Sequence, residues 1–74
     1  FIDFKSRLQE KLQENGSVDI DYHTENEQQL SDNTQLFESS ISVDDRELAR
    51  GVGKSIKDSE KAAARAALKI LEEK

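Results

Sequence analysis

The chain has 74 residues, a formal net charge of −5, and no Cys, Pro, Met or Trp. Its length allows one small domain, and the lack of Cys excludes disulfides and thiolate metal sites. No apolar run approaches the roughly 20 residues that span a bilayer, so we expect a cytoplasmic chain that makes no membrane contact. Because the sequence starts at Phe1 and contains no Met, we expect residues 1–74 to be a single domain excised from a longer chain.

The charge is unevenly divided along the chain. Residues 17–45 hold eight acids and neither Lys nor Arg, whereas residues 46–74 hold eight bases and five acids. An acidic chain argues against a polyanionic partner, because polyanion binding depends on Lys and Arg. The segregation nevertheless allows one face to be basic on an acidic molecule.

The first predicted element is a helix. Phe4, Leu8 and Leu12 recur every four positions and therefore lie along one side of it. Asp3 is a suitable N-cap, and Gly16 is suited to the left-handed position that ends a helix. We therefore predict that the helix fills the residues between them.

A strand with one solvated acidic face follows the helix. It is predicted from Val18, Ile20 and Tyr22, which alternate with polar residues. Residues 25–35 contain one apolar residue and are predicted to form a polar loop.

Two more strands are predicted after this loop. The inward positions of the second strand are Phe37, Ser39, Ile41 and Val43. Asp44-Asp45 is a tight-turn signal, and a third strand runs through Leu48 to about Val52.

A second helix is predicted from Ser55, which can cap it, with Asp58 completing an imperfect capping box. Its apolar side is formed by Ala63, Ala67, Ile70 and Leu71, with Ala66 at the edge. Its other side carries a basic stripe of Lys57, Lys61, Arg65 and Lys69. The predicted fold is α+β with the order α-β-β-β-α, a three-stranded antiparallel sheet with both helices packed on one face.

Catalytic and metal sites are not indicated by this sequence. His23 is the only His, and a lone strand His is usually a solvent-facing polar residue. The spacing of the acids in the first strand matches no known calcium loop; these are Asp19, Asp21, Glu25 and Glu27. Residues 51–55 include the Gly-Lys-Ser that ends a phosphate-binding P-loop, but Leu48 stands where that loop needs its first Gly.

The start of the second helix is a candidate anion site. A helix N-terminus has unpaired N–H groups and the positive end of the dipole. Bases surround it, namely Lys54, Lys57 and Lys61, with Arg50 nearby on the incoming strand. Gly51 and Gly53 would let the backbone pass close to a polyanion. The alternative is that the glycines only end a strand and the lysines only solvate an amphipathic helix.

The first helix has a face of hydrogen-bonding groups opposite its apolar side. This face consists of Ser6, Gln9, Glu10 and Gln13. It suits hydroxyls and base edges, which the wide minor groove of A-form RNA presents. One surface for hydroxyls and one for phosphates together suggest a double-helical RNA ligand.

Two motifs resemble a known family. Residues 51–68 are GVGKSIKDSEKAAARAAL. This segment is similar to the C-terminal signature of double-stranded RNA-binding domains. That signature runs Gly-x-Gly-x-Ser-Lys-Lys-x-Ala-Lys and is followed by an Ala-rich stretch. Leu8-Gln9-Glu10 and Gln13, after Lys5-Ser6, resemble more narrowly the first helix in the C-terminal domain of bacterial ribonuclease III. The similarity covers essentially the whole chain.

The resemblance implies how RNA would be bound. The first-helix face would enter a minor groove, and Lys57 would reach phosphates across the intervening major groove, with recognition by shape. The resemblance implies RNA contacts at Ser6, Gln9, Glu10, Gln13, Ser55 and Lys57, and the cluster of bases at the helix N-terminus adds Lys54 and Lys61. The domain itself would need no cofactor and hold no catalytic residue. The parent ribonuclease III would use Mg²⁺ and form a homodimer through a separate nuclease domain.

The sequence also departs from the family pattern. Ile56 stands at the first signature Lys, Ser59 replaces a usual Ala, and Glu60 stands where a third Lys is frequent. Residues 29–33 lack the Gly-Pro-x-His turn that enters a second minor groove. The alternative hypothesis is therefore a degenerate domain of the same fold that serves protein–protein interaction or dimerisation, with Ile56 beside Leu30 as an apolar contact.

Overall fold

The structure, a computed structural model, describes residues 3–14, 16–29 and 35–73. Its elements in chain order are α1 (Phe4–Leu12), β1 (Ile20–Gln29), β2 (Gln35–Val43), β3 (Arg46–Gly53) and α2 (Ile56–Glu72). The predicted α-β-β-β-α order is confirmed. Among the described residues, neither helix has the length and apolar character required to cross a membrane.

The N-terminal end of α1 is capped as predicted. The Asp3 carboxylate accepts hydrogen bonds from the Ser6 backbone N–H at 3.3 Å and from the Ser6 hydroxyl at 2.9 Å. The prediction for the other end was wrong, because the helix stops at Leu12 with Gln13 as the C-cap, and Gly16 adopts its positive φ of 126° beyond the helix. Gln13 and Glu14, which follow Leu12, are both exposed, so no burial sustains a longer helix.

The three strands form one antiparallel sheet in the order β1-β2-β3. The predicted polar loop over residues 25–35 was wrong at both ends, because β1 continues to Gln29, which pairs with Gln35 at the start of β2. Backbone hydrogen bonds to β2 hold this polar extension. Because such bonds need no apolar side chains, the sequence shows no alternation from which the extension could be predicted. Of residues 29–33, where the sequence lacks the family's Gly-Pro-x-His turn, Gln29 is thus in β1. The other four, including Leu30, lie outside the described residues.

The predicted tight turn joins β2 to β3. Asp44 and Asp45 both have positive φ, 50° and 68°, and the flanking residues Val43 and Arg46 pair directly. Two left-handed residues in a two-residue loop give the twist that an antiparallel hairpin needs, and Asp tolerates that conformation better than most residues.

One hydrophobic core is shared by both helices and the sheet. Its buried members are Leu8, Ile41, Ala49, Ala63, Ala64, Ala67 and Leu68. Ala63 and Ala67 confirm the predicted apolar side of α2, but Ile70 is 39% exposed, so its predicted burial was wrong. Ile70 lies in the last turn of α2, where Leu71 packs against the core instead.

Gly51 and Gly53 allow α2 to lie directly on β3. A Cβ at Gly51 would collide with the backbone of Ala63, and one at Gly53 would lie 2.6 Å from the backbone nitrogen of Ser59. The close backbone approach expected at these glycines is therefore made by α2 itself. This contact fixes where the N-terminal end of α2 lies on the sheet.

Candidate nucleic-acid interface

The N-terminal end of α2 presents cations around a capped helix terminus. The Ser55 hydroxyl accepts from the Asp58 backbone N–H at 3.0 Å, as the sequence predicted. Lys54, Lys57 and Lys61 are all exposed, and none forms an ion pair with another described residue. Exposed cations beside a helix N-terminus, with no ion pair to another described residue, favour phosphate oxygens.

Arg50 does not join these lysines, contrary to the prediction from its sequence position. It lies between Ala49 and Gly51, which face α2, so its side chain extends from the opposite face of the sheet. There its guanidinium donates to Glu38 at 2.9 Å and to Glu47 at 2.7 and 2.8 Å. The hydrogen bonds to Glu47 raise the pKa of Arg50 further and hold the pKa of Glu47 below its usual value.

The predicted polar face of α1 is open to solvent. Ser6, Gln9, Glu10 and Gln13 are all exposed. The Ser6 hydroxyl donates its proton to Asp3, so it is left with lone pairs that accept from a ligand. Gln9 and Gln13 line a groove of about 320 Å³ between α1 and β1, in which their amides can both donate and accept.

An ion pair that the sequence did not predict joins the two helices. The Lys5 ammonium donates to Glu60 at 3.1 Å and lies 4.6 Å from the centre of the Tyr22 ring. Burial, followed by the charges of Glu60 and Asp3, raises the pKa of Tyr22. Glu60, a departure from the family signature, therefore connects α1 to α2. Lys5 and Glu60 are 55 residues apart, so no local pattern could indicate their contact.

Acidic residues lie on the face of the sheet that the helices leave open. In β1, Asp21, His23 and Glu25 are exposed and alternate with Ile20, Tyr22 and Thr24, which turn towards the helices. His23 is solvent-facing, as predicted, with its Nε2 3.2 Å from Glu25. The described residues contain no group of three His, Asp or Glu side chains that could hold a metal ion.

Ile56 is exposed at the first position of α2. Its relative exposure is 52%, and Val52, on the outer face of the sheet, is 49% exposed. The exposure at Ile56 is what the protein-interaction hypothesis requires, although its proposed neighbour Leu30 lies outside the described residues.

Comparison with known proteins places these surfaces in a family context. The profile of the double-stranded RNA binding motif matches residues 4–71. The chain is 85% identical over 74 residues to Ribonuclease 3 of Leuconostoc citreum, covering all of this chain and 32% of that protein. It is 81% identical over 73 residues to Ribonuclease 3 of Leuconostoc mesenteroides, covering 99% of this chain and 31% of the relative.

A more distant relative also matches over most of this chain and over a similar share of its own length. Ribonuclease 3 of Oenococcus oeni is 49% identical over 67 residues, which are 90% of this chain and 29% of that protein. The chain thus spans about a third of the length of the curated relatives it matches. The family profile covers both helices and all three strands, and the chain belongs to the double-stranded RNA binding motif family.

Proposed function

We propose that this domain binds double-stranded RNA and serves as the substrate-binding domain of a ribonuclease III. The observation that carries the proposal is the cluster of exposed lysines at the capped N-terminus of α2, in a chain whose family is defined by RNA binding. A second surface, the polar face of α1, is connected to α2 by the Lys5–Glu60 ion pair.

Phosphates would be bound at the end of α2. Lys54, Lys57 and Lys61 supply positive charge without first breaking an ion pair to a described residue. Each cation that neutralises a phosphate releases counterions, so the affinity should fall as salt rises. Asp58 lies in the same turn and offsets part of this charge. We therefore expect moderate rather than very tight binding.

Duplex RNA would be distinguished from DNA by α1. The Gln9 and Gln13 amides and the Glu10 carboxylate can accept hydrogen bonds from 2′-hydroxyl groups, which DNA lacks. The same amides can donate to base-edge acceptors in the shallow minor groove. Because Lys5, which lines the groove beside Gln9 and Gln13, is already paired with Glu60, the contribution of this face should depend little on salt.

The remaining parts of the protein would supply the chemistry. We propose that cleavage of duplex RNA, its Mg²⁺ and the contacts of a homodimer belong to a nuclease domain outside this chain, and that the protein acts in the cytoplasm. The relatives named Ribonuclease 3, of which the chain spans about a third, support this proposal. The described residues offer no cluster at which Mg²⁺ could be bound by three acidic or imidazole ligands.

A binding titration tests the proposed function. The domain is titrated with a 20-base-pair RNA duplex, the DNA duplex of the same sequence and a single-stranded RNA, each at two salt concentrations. Salt-sensitive binding confined to the RNA duplex is expected. Equal affinity for both duplexes would remove the role of α1, and no binding at low salt would refute the proposal.

The second candidate function is protein interaction, favoured by the exposure of Ile56. Sedimentation of the domain at micromolar concentrations tests it, with Ile56→Lys as the variant. Self-association that this substitution abolishes would support the second function. Ile56→Lys should instead strengthen RNA binding if the proposed function is correct, because it adds a cation at the phosphate-binding end.

A further inference from the structure

A chain of three hydroxyls crosses the interior from β1 to the first turn of α2. Thr24 Oγ1 lies 2.7 Å from Ser39 Oγ, and Ser39 Oγ lies 2.6 Å from Ser59 Oγ. Ser59 Oγ in turn donates to the backbone carbonyl of Ile56 at 2.8 Å. Ser39 and Ser59 are both completely buried, so no solvent competes for the hydrogen bond between them.

The direction of the hydrogen bonds follows from the number of protons. A serine or threonine hydroxyl has one proton to donate and two lone pairs that accept. Since Ser59 gives its proton to the Ile56 carbonyl, Ser39 must donate to Ser59, and Thr24 must donate to Ser39. All three donors therefore point from the sheet towards the helix, and bonds aligned in this way strengthen one another in a low-dielectric interior.

The chain ends at the part of α2 that carries the phosphate-binding lysines. Ile56 is the first residue of the helix, between the capping residue Ser55 and Lys57. The family signature that residues 51–68 resemble has Ala at the position of Ser59. The hydroxyl chain is therefore a feature of this sequence and not of the signature. It fixes the first turn by side-chain hydrogen bonds, in addition to the packing at Gly53.

We propose that Ser39 and Ser59 are positioning residues for RNA binding, which hold the first turn of α2 so that Lys57 and the neighbouring N–H groups meet phosphates. This inference rests on the proposed function. A role in stability alone is the competing explanation. The two can be separated, because replacing both partners of a buried hydrogen bond by apolar groups is often nearly neutral for stability.

The test uses the double variant Ser39→Ala/Ser59→Ala, with Ser40→Ala as the matched control on the outer face of the same strand. Three quantities are measured: the unfolding midpoint, the affinity for a 20-base-pair RNA duplex with its salt slope, and amide hydrogen exchange. The double variant should keep a midpoint within a few degrees of the parent. It should lose affinity several-fold, its salt slope should fall by up to about 1, and exchange should accelerate selectively at residues 58–60.

The single variant Ser59→Ala adds a second signature. In this variant Ser39 can turn its proton to Thr24 Oγ1, so the hydroxyl chain no longer reaches α2, and exchange at residues 58–60 should accelerate as in the double variant. If the double variant does not fold, Ser39→Ala provides the same readouts, because it breaks the link between the sheet and Ser59 and leaves only the half-buried Thr24 hydroxyl without its partner. With either variant, parental RNA affinity together with parental exchange at residues 58–60 would overturn the proposal.

Failure of the proposed function would be recognised separately. In that case the parent domain would bind no RNA duplex, whatever the variants do. Amide exchange requires no RNA and still decides whether the hydroxyl chain holds the first turn of α2. Uniformly faster exchange across the whole sheet would also overturn the positioning role, because it would indicate only a general loss of stability.

Discussion

At the scale of single residues, the difference between Arg50 and Lys57 determines where a polyanion can bind. Both are cations near the junction of β3 and α2, but Arg50 is held by Glu38 and Glu47, whereas Lys57 is exposed and unpaired among the described residues. A paired cation would have to give up its carboxylates before it could neutralise a phosphate. Proximity in sequence suggested that Arg50 and Lys57 act together, but the alternation of the strand separates them.

Lys57→Ala and Lys61→Ala should each weaken RNA duplex binding and reduce its salt slope by about 1, because each removes a phosphate contact. The measurement is a titration at several salt concentrations. Lys69→Ala is the matched control, since it removes an equal charge from the last turn of the same helix. If all three variants shift binding alike, only the net charge matters and no site exists at the N-terminal end.

The cap of α1 predicts a dependence on pH. Hydrogen bonds from the Ser6 hydroxyl and backbone N–H lower the pKa of Asp3 below its ordinary value of 3.8. A carboxylate with a depressed pKa in the folded state stabilises that state fully above its unfolded pKa, and the contribution is lost as pH falls through the folded pKa. The α1 cap should therefore be intact at pH 5 and weaken only below about 3.8.

Amide chemical shifts of Ser6 and Arg7, followed during an acid titration, measure this transition. Asp3→Asn should keep a cap but lose the transition, because an amide accepts the same hydrogen bonds without titrating. A midpoint above 3.8 at Ser6 would contradict the assigned hydrogen bonds.

At the scale of elements, local signals predicted how the elements begin and turn, and missed how they extend and contact one another. The caps at Asp3 and Ser55 and the turn at Asp44-Asp45 depend on neighbouring residues, so the sequence could indicate them. The extension of β1 to Gln29 depends on backbone pairing with a distant strand. The Lys5–Glu60 pair likewise depends on tertiary packing, and sequence periodicity contains no information about it.

Gly51→Ala tests the close packing of α2 on β3. The added Cβ would meet the Ala63 backbone, which cannot move without displacing the helix. We expect a loss of about 1–3 kcal/mol or more in the free energy of unfolding, measured by urea denaturation. Val52→Ala, the next residue on the opposite face, should change this free energy by only about 0.5 kcal/mol. Equal effects of the two substitutions would refute the packing argument.

At the scale of the whole molecule, the fold places acidic and basic segments of the chain on different sides of the sheet. Asp21 and Glu25 of β1 and the Glu38–Arg50–Glu47 cluster lie on the open face of the sheet, while the exposed lysines lie at the start of α2, which packs on the other face. A net charge of −5 therefore does not prevent one side from binding a polyanion. The sequence predicted that such a separation was possible, and the sheet supplies the two sides.

Nuclear magnetic resonance with a 20-base-pair RNA duplex tests this central claim most directly. Amide shifts should change on the exposed face of α1, from Ser6 to Gln13, and around Lys54, Ser55 and Lys57. The amides of Asp21, His23 and Arg50, on the outer face of the sheet, should remain unchanged. Shifts concentrated on that outer face, or spread evenly over the molecule, would contradict the account.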